Sequence, residues 1–502
     1  IEIDTVKIDF TDIHRRIRRI SDLPGDEFAV AIHPKGDKFY FNADVKEKSD
    51  LYSLNRFGDD LKAITEGGAN PQSITMDKEG KTFYFLKNGA PASVGSDGGK
   101  SEGTSFNAQL KIDLPAERLQ VIDEGWRFLG AKFYDPKMHG ADWNRLRSKY
   151  RNYAQKVHHD RDFEDVCESM VGELNASHMG YNSPNRDRFD RVAATGELGI
   201  EFDPSYSDDT GLRVKSVLPY GPCDKVAARV LPGDILLSID GSAVSRTENF
   251  AKPLEGKAGV PTLLTIRRGN ETKEFSVTPI EWFPLRQLAY KQMERTNRAV
   301  VDSLTKKRVG YIHIQGMDQG SLELFERDLY AACNGRDALI IDVRNNGGGS
   351  TADLLLTILT QPQHAYTIGR GGDIGYPQDR LPLYRWTKPV AVLCNEASYS
   401  NAEIFSSAIK TIKRGVVVGN RTAGGVISTS GWSTVNGGYF RLPLRGWYVY
   451  GTKQNQENNG CMPDYLIPLT PGDRIKRNDP QLHKAISLML TAAANTPSPT
   501  GE

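Results

Sequence analysis

The sequence predicts a multidomain α+β protein. The length of the chain indicates several domains, and three patterns along the chain indicate their types. The chain has 502 residues, and at roughly 150 residues per domain this length corresponds to three or four domains. A short motif repeats near the amino terminus, a helical period of apolar residues follows, and buried strands alternate with helices towards the carboxyl terminus. We therefore expect four consecutive domains, over residues 1–115, 116–194, 195–282 and 283–502.

The first domain is predicted to be part of a β-propeller. Residues 33–41 align with residues 77–85, and each copy has a Gly turn that opens a strand. A period of about 40–50 residues with several short strands per repeat is typical of propeller blades. A closed propeller needs roughly 4–8 blades, so two blades indicate either missing upstream blades or an open sheet. Because the first residue is Ile rather than Met, we interpret the chain as processed or as a fragment.

The second domain is predicted to be a small helical domain. Apolar residues recur at i, i+3 and i+7 from Trp126, from Trp143 and from Phe163, the last of these behind a predicted N-cap at Asp162. This spacing places the apolar side chains on one face of each helix. The helices are expected to end near residue 175, which leaves residues 177–178 in the loop beyond.

The third domain resembles a PDZ domain. Segments 198–202 and 211–217 are predicted strands, residues 224–230 a short helix, and residues 231–241 a Gly-Asp turn, a strand and an Asp-Gly turn. In that family an extended peptide pairs with the edge of the first strand, which here contains Leu198, Gly199 and Ile200. Many such domains are spacers, so both interpretations stay open.

The fourth domain is predicted to be an α/β layer. After a linker near 281–288, apolar strands are expected at 309–314, 338–343, 389–394 and 415–418. Helices are expected between them at 322–333, 351–360 and 401–413. Strands that alternate with helices in this way predict a largely parallel sheet that is buried on both faces.

Two strand–loop–helix junctions in this domain carry residues suited to acyl transfer. In the first, the glycines 347–349 allow close backbone approach and can leave N–H groups free to bind an anion. The second places Ser400 at or next to a helix N-terminus, where the macrodipole favours developing negative charge. Taken singly, the first junction is equally well explained as a strained turn that needs a positive φ. The second, taken singly, is better explained by Ser398 or Ser400 as a helix N-cap.

Together, the two junctions can form one site. A serine nucleophile requires a base, a group that orients the base, and two N–H donors for the oxyanion. Ser400, the Asn401 N–H and the 347–349 loop can supply the nucleophile and the oxyanion hole. Among the nine histidines, His178 is a candidate base, because it lies in a loop beside the Ser177 hydroxyl and outside any apolar stripe. For a histidine taken alone, a structural role would normally be the favoured interpretation.

The chain is similar to the tricorn protease family, within the C-terminal-processing peptidases. The similarity covers nearly the whole chain and rests on three motifs in order: Asp-Val-Arg-Asn-Asn-Gly-Gly-Gly, Asn-Glu-x-Ser-x-Ser-Asn-Ala-Glu-Ile-Phe and Glu-Asn-x-Gly-x-x-Pro-Asp. The resemblance implies a crotonase/ClpP-like α/β catalytic domain. It also implies a serine peptidase that cleaves peptides or unfolded polypeptides through an acyl-enzyme.

The resemblance further implies roles for particular residues. Ser400 corresponds to the nucleophile and His178 to the general base. Ser177 would connect His178 to Glu457, which completes a Ser-His-Ser-Glu tetrad that follows the logic of a catalytic triad. The resemblance implies an oxyanion hole formed by the Asn401 N–H and a glycine of the 347–349 loop, Gly348 in preference to Gly347. Members of this family assemble into hexameric rings, so a homo-oligomer is expected.

Two other functions compete with peptidase activity. A propeller and a PDZ-like domain suffice for a catalytically inactive peptide-binding scaffold, and a fold alone does not establish activity. The glycine-rich loops could also serve acyl-thioester chemistry, as in the crotonase fold. The presence of all four tetrad residue types argues against the scaffold, and the Ser-His pair and the PDZ-like domain argue against the thioester chemistry.

Composition excludes several other classes of protein. A net charge of +1 provides no overall field for nucleic acid or anionic membrane, and no apolar run approaches the roughly 18–20 residues that span a bilayer. The P-loop pattern fails at Val94, HExxH is absent, and the 158–160 His-His-Asp run fits a solvated helix face better than a metal site. We expect no cofactor and no metal.

The five cysteines indicate the compartment. Their number is odd, they lie far apart in the sequence, and no CxxC motif occurs. Buried free thiols in a reducing compartment explain this pattern better than disulfides do. A cytoplasmic location is therefore expected, and an exported form stays open because the amino terminus is missing.

Overall fold

The computed structural model describes residues 7–21, 23, 25–45, 48–184, 194–208, 210–362, 367–368, 370–371, 374–375 and 385–495. The chain divides into two compact units, Ile1–Ile112 and Asp113–Glu502. Among the described residues, no helix has both the length and the apolar character needed to cross a membrane. The finer division into four domains stays a prediction.

The first unit contains two antiparallel four-stranded sheets with the same strand order. The first sheet contains β1 (Glu27–Ile32), β2 (Lys38–Val45), β3 (Lys48–Asn55) and β4 (Lys62–Ala63), and the second contains β5 (Pro71–Met76), β6 (Thr82–Lys87), β7 (Ala90–Gly95) and β8 (Glu102–Gly103). The repeated motif forms β2 and β6. Tyr40 and Phe83 from these strands pack edge to face, with ring centroids 4.8 Å apart. These propeller-like sheets follow the repeat that the sequence indicated.

Three helices open the second unit: α1 (Leu114–Lys132), α2 (Trp143–Ala154) and α3 (Asp160–Gly172). The predicted N-cap at Asp162 is wrong, because α3 begins at Asp160 and Asp162 lies in its first turn, where a carboxylate also stabilises the helix dipole. His159 is the residue that precedes this helix, so the His-His-Asp run does not lie along a helix face. Within the described part of the chain, no group of three or more side chains could hold a metal ion.

The three helices share a core with a small antiparallel sheet. This sheet contains β9 (Gly180–Asn182), β22 (Ser428–Ser433) and β23 (Tyr439–Arg445), with β23 in the middle. Tyr181 and Phe440 from its strands lie in the core of the helices. Gly180 is directly opposite Arg441 in the strand register. The loop before β9 is therefore held beside a strand from the last part of the chain.

The PDZ-like region forms a sheet in the order β10-β11-β12-β14-β15, with β13 paired to β12. Its strands are β10 (Ile200–Phe202), β11 (Leu212–Val217), β12 (Ile235–Ile239), β13 (Ser242–Ala243), β14 (Thr262–Arg268) and β15 (Glu271–Val277). The short helix predicted over 224–230 is wrong. Two 3-10 turns, Pro222–Asp224 and Val226–Ala228, stand there, because Lys225 between them has an extended backbone.

A parallel five-stranded sheet forms the centre of the remaining region. Its strands, in spatial order, are β16 (Val309–His313), β17 (Ala338–Asp342), β20 (Val390–Cys394), β21 (Val416–Gly419) and β24 (Tyr465–Leu466). Helices α5 (Gln319–Ala331), α6 (Ala352–Thr360) and α7 (Asn401–Thr411) cover one face, and α4 (Trp282–Thr305) and α9 (Pro480–Asn495) cover the other. The shorter elements here are β18 (Thr367–Ile368), β19 (Ile374–Gly375) and α8 (Pro471–Lys476).

Alternate residues of each central strand face opposite helix layers. Leu339 and Ile341 of β17 lie in the core with α5–α7, whereas Ala338 and Ile340 lie in the core with α4 and α9. This period of two explains why the strands are continuously apolar. The predicted linker at 281–288 is wrong, because α4 begins at Trp282; Pro284 is tolerated in the first turn, where no helical N–H bond is lost.

Candidate active site

Two loops at one end of the parallel sheet are joined into a single structure. β17 and β20 are neighbours in the sheet, so the loops that follow them meet at the same edge. The Asn345 N–H donates to Asn395 Oδ1 at 3.0 Å, and Asn395 Nδ2 donates back to Asn345 Oδ1 at 3.0 Å. Ser398 Oγ donates to the Val343 carbonyl at 2.8 Å. These bonds bring the two sequence-predicted junctions together.

Ser400 occupies a strained turn at the start of α7. It is the N-cap residue of that helix, with φ 55° and ψ −119°, a conformation that costs about 1–3 kcal/mol in a non-glycine residue. Its N–H donates to Glu403 Oε1 at 3.0 Å. Ser400 is half-buried, and a strained strand-to-helix turn of this kind also presents the nucleophilic serine in α/β-hydrolases.

Gly348 lies against Ser400, and its lack of a side chain is required there. Its φ is 93°, and a Cβ at this position would lie 2.6 Å from Ser400 Cβ and 2.8 Å from the Tyr399 carbonyl oxygen. Gly347 is different, because nothing lies within 4 Å of a Cβ built there. The glycine loop thus approaches the serine through Gly348.

The predicted oxyanion donors differ in their availability. The Gly348 N–H donates to Asn346 Oδ1 at 2.9 Å. The Asn401 and Gly347 N–H groups donate to no group in the described part of the chain. The Asn401 side chain accepts the Ala352 N–H at 2.7 Å, which fixes this residue at the start of α7. The Asn401 N–H next to Ser400 and the Gly347 N–H of the glycine loop are therefore both unpaired among the described residues.

Ser177 and Glu457 form a direct pair. Glu457 is buried, with 3% of its surface exposed. One of its oxygens accepts the Ser177 N–H at 2.5 Å, and the other accepts the Ser177 hydroxyl at 3.0 Å and the Val426 N–H at 3.0 Å. The structure therefore brings together the two tetrad residues that the sequence resemblance expected in contact.

His178 is half-buried beside these residues, and both of its ring nitrogens are engaged. Nε2 lies 3.1 Å from the Gly425 carbonyl oxygen, and Nδ1 lies 2.7 Å from Arg441 Nη2. Its ring centroid is 4.9 Å from that of Tyr399. No hydrogen bond joins His178 to Ser400 or to Ser177 in this arrangement.

Burial and charge lower the pKa of His178 below its ordinary value of 6.5. Burial makes the largest contribution, and the positive charge of Arg441 adds to it, against smaller opposing effects of the Gly425 carbonyl and Glu457. The neutral ring is thus favoured in the folded state, as a general base requires near neutral pH.

The segment Gly424-Gly425-Val426 connects all the candidate catalytic residues. The N–H groups of Gly424 and Gly425 donate to the buried carboxylate of Glu403, which also holds the Ser400 N–H. The Gly425 carbonyl accepts from His178, and the Val426 N–H donates to Glu457. Three consecutive residues thereby fix the positions of the Ser400 turn, His178 and Glu457 relative to one another.

The predicted peptide-binding residues lie elsewhere, in a groove of about 590 Å³. Leu198, Gly199 and Ile200 line it at the start of β10, which is the edge strand of its sheet. Phe250 and Leu285 add apolar surface to its lining. The groove therefore combines a strand edge with an apolar lining.

Comparison with known proteins matches three parts of the chain to family models. Residues 308–467 match peptidase family S41, residues 114–172 match the tricorn protease C1 domain, and residues 196–278 match the PDZ domain. Tricorn protease homolog 1 of Streptomyces coelicolor is 30% identical over 469 residues, which are 89% of this chain and 43% of that protein. The tricorn protease of Thermoplasma volcanium is 27% identical over 92% of this chain and 45% of its own length.

The chain is similar to the tricorn proteases, and its residues 308–467 match the model of peptidase family S41. A solved structure, the crystal structure of the tricorn protease, shares the fold with a TM-score of 0.76 at 22% identity, over 93% of this chain and 47% of that one. The tricorn-related chain thus spans less than half the length of these relatives.

Three residues of the tricorn-related site were missed by sequence reasoning. Glu403 belongs to the second motif, but its role in holding the Ser400 N–H was not predicted. Gly425, in a Gly-Gly pair, receives the His178 hydrogen bond. Arg441 stands in an apolar strand far from any motif, and only the pairing of β9 with β23 brings it to His178.

Proposed function

We propose that the chain is a serine peptidase that cleaves peptides or unfolded polypeptides through an acyl-enzyme intermediate. The observation that carries the proposal is the Gly424–Val426 segment, which forms hydrogen bonds to three groups at once. They are the Glu403 carboxylate behind Ser400, the His178 ring and the Glu457 carboxylate. Chain segments that are far apart in sequence have no structural need to converge on these residue types. The peptidase family S41 match over residues 308–467 supports the same chemistry.

In the proposed reaction, Ser400 Oγ attacks the carbonyl carbon of the scissile bond and its proton passes to His178. The oxyanion accepts hydrogen bonds from the Asn401 N–H and from the glycine loop, through the unpaired Gly347 N–H or through Gly348 once that N–H leaves Asn346. His178 then gives the proton to the leaving amine as the C–N bond breaks. Water hydrolyses the acyl-enzyme by the same steps in reverse.

We propose that Ser177 and Glu457 complete the tetrad. When the imidazole turns towards Ser400, its second nitrogen can donate to Ser177 Oγ, which already donates to Glu457. The buried carboxylate then stabilises the imidazolium through the serine hydroxyl rather than by direct contact. A tetrad of this kind supplies the group that orients the base.

The groove along β10 is proposed to bind an extended segment of the substrate. An edge strand offers backbone hydrogen bonds to any sequence, and the apolar lining selects side chains on one face. Assembly into a ring of six copies and a cytoplasmic location stay predictions from the sequence.

A serine-directed probe tests the peptidase proposal. A fluorophosphonate reacts when an activated Ser400 Oγ forms a bond to phosphorus, fluoride leaves, and the serine proton passes to the base. Intact mass of the wild-type protein is expected to show one adduct that is absent from Ser400→Ala. Ser433→Ala is the matched control, since Ser433 is an exposed serine of β22 and lies outside the proposed tetrad. A folded wild-type protein without an adduct would favour the inactive scaffold.

A further inference from the structure

The hydrogen bonds of His178 fix which of its nitrogens carries the proton. A guanidinium can only donate and a carbonyl can only accept. Nδ1 therefore holds the lone pair that faces Arg441, and Nε2 carries the hydrogen that faces the Gly425 carbonyl. The imidazole is neutral, and neither nitrogen has a lone pair free for the Ser400 hydroxyl.

We propose that Arg441 is a positioning residue that holds His178 away from Ser400 between turnovers, and that the reaction begins only when the imidazole leaves Arg441 and the Gly425 carbonyl. This inference rests on the proposed peptidase function of the same site. It adds a step to that function, in which the base must exchange two hydrogen bonds before it can accept a proton.

The strand register explains why Arg441 occupies this place. Gly180 lies opposite Arg441 in the pairing of β9 with β23, and His178 stands two residues before Gly180. Arg441 is an exposed residue, and this register brings its guanidinium to His178 Nδ1. The Tyr399 ring packs against both the His178 imidazole and Gly425. It therefore limits movement of the imidazole on another side.

The charged and titratable groups around His178 act in different directions. Arg441 from β23 opposes protonation of the ring, and Glu457 favours it. Tyr399 contributes its ring face and Gly425 its carbonyl dipole. Loss of Arg441 therefore frees Nδ1 and removes the nearest positive charge from the imidazolium that forms during attack.

The matched variants are Arg441→Met, Arg441→Lys and Arg445→Met. Arg445 is also exposed and also belongs to β23, so its replacement removes the same charge from the same strand without touching His178. A lysine ammonium in place of the Arg441 guanidinium would still donate a hydrogen bond, so Arg441→Lys is expected to behave like the wild type. Thermal melting of each variant checks that the fold is retained.

Nuclear magnetic resonance of protein with nitrogen-15-labelled histidine gives a readout that is independent of activity. The His178 signal is assigned by its loss in His178→Gln. In the wild type, Nε2 is expected to be the protonated nitrogen and the pKa to lie below 6.5. Arg441→Met is expected to raise that pKa, and Arg445→Met to leave it unchanged. An unchanged pKa and tautomer in Arg441→Met would overturn the proposal.

The rate of Ser400 labelling by a fluorophosphonate gives the second readout. Arg441→Met is expected to react about tenfold faster than the wild type, because a hydrogen bond to a charged group no longer competes for the base. Equal or slower labelling in a folded Arg441→Met protein contradicts the proposal. Absence of labelling in every variant would instead contradict the peptidase function, while the histidine spectra still test the Arg441 contact.

Discussion

At the scale of single residues, Gly348 is the position where a small change has the sharpest expected effect. A methyl group there would meet Ser400 Cβ and the Tyr399 carbonyl at less than 3 Å, and its φ of 93° is unfavourable for any other residue. Gly347, its neighbour, has open space and an ordinary φ. The two glycines therefore form a matched pair for mutation.

We expect Gly348→Ala to lower the rate of Ser400 labelling about a hundredfold, the effect of losing one oxyanion donor or displacing the nucleophile. Gly347→Ala keeps its N–H and is expected to stay within about threefold of the wild type. The measurement is the rate of adduct formation by intact mass at fixed probe concentration. Similar rates in the two variants would show that the glycine loop has no close role at Ser400.

The chemistry of single residues could be predicted from the sequence only where a motif carried it. Ser400 and the glycine loop follow buried strands, so their position at one sheet edge was predictable. The Ser177-His178 pair follows no such strand. Its loop position made His178 only a candidate, and the link from Ser177 to Glu457 came from family resemblance alone. Arg441 is an ordinary exposed charged residue of the half-buried strand β23, and nothing near it in sequence indicates a histidine contact.

At the scale of elements, the turn between β20 and α7 depends on Glu403. Its carboxylate is fully buried and accepts hydrogen bonds from the Ser400, Gly424 and Gly425 N–H groups and from the Thr422 hydroxyl. Four donors around one carboxylate offset the cost of burying its charge. The strained backbone of Ser400 is retained because these bonds determine its position.

We expect Glu403→Gln to destabilise the protein by about 3 kcal/mol, because an amide NH₂ would face backbone N–H donors and leave them unpaired. Urea unfolding measures the change, and Ser400 labelling should fall with it. Glu396→Gln is the control, since Glu396 lies in the same loop with its side chain 55% exposed and should change stability by less than about 0.5 kcal/mol. Equal stability of both variants would contradict the anchoring role of Glu403.

Elements with a strong local pattern were predictable, and those fixed by distant contacts were not. The central strands are continuously apolar because helices cover both faces, and that pattern is visible in the sequence. α4 was missed because Pro284 and polar residues near its start are typical of a linker. The pairing of β9 with β23 joins segments more than 250 residues apart, and strand register over that distance leaves no local pattern.

At the scale of the whole molecule, the apolar cores divide between the two units. The two clusters built on Tyr40 and on Phe41 lie entirely within residues 1–112, and the four others lie entirely within residues 113–502. A region with its own closed core has what it needs to fold alone. All seven candidate residues of the peptidase site belong to the second unit.

We therefore expect residues 113–502, expressed alone, to unfold cooperatively and to label at Ser400 within about twofold of the full chain, since this unit keeps its own apolar cores and all seven candidate residues. Urea unfolding followed by circular dichroism tests the fold, and the fluorophosphonate rate tests the site. The same piece with Ser400→Ala is the control for labelling elsewhere. A folded piece that labels at least tenfold more slowly would show that residues 1–112 take part in assembling the site. An unfolded piece would show that the second unit requires the first for stability, despite its separate cores.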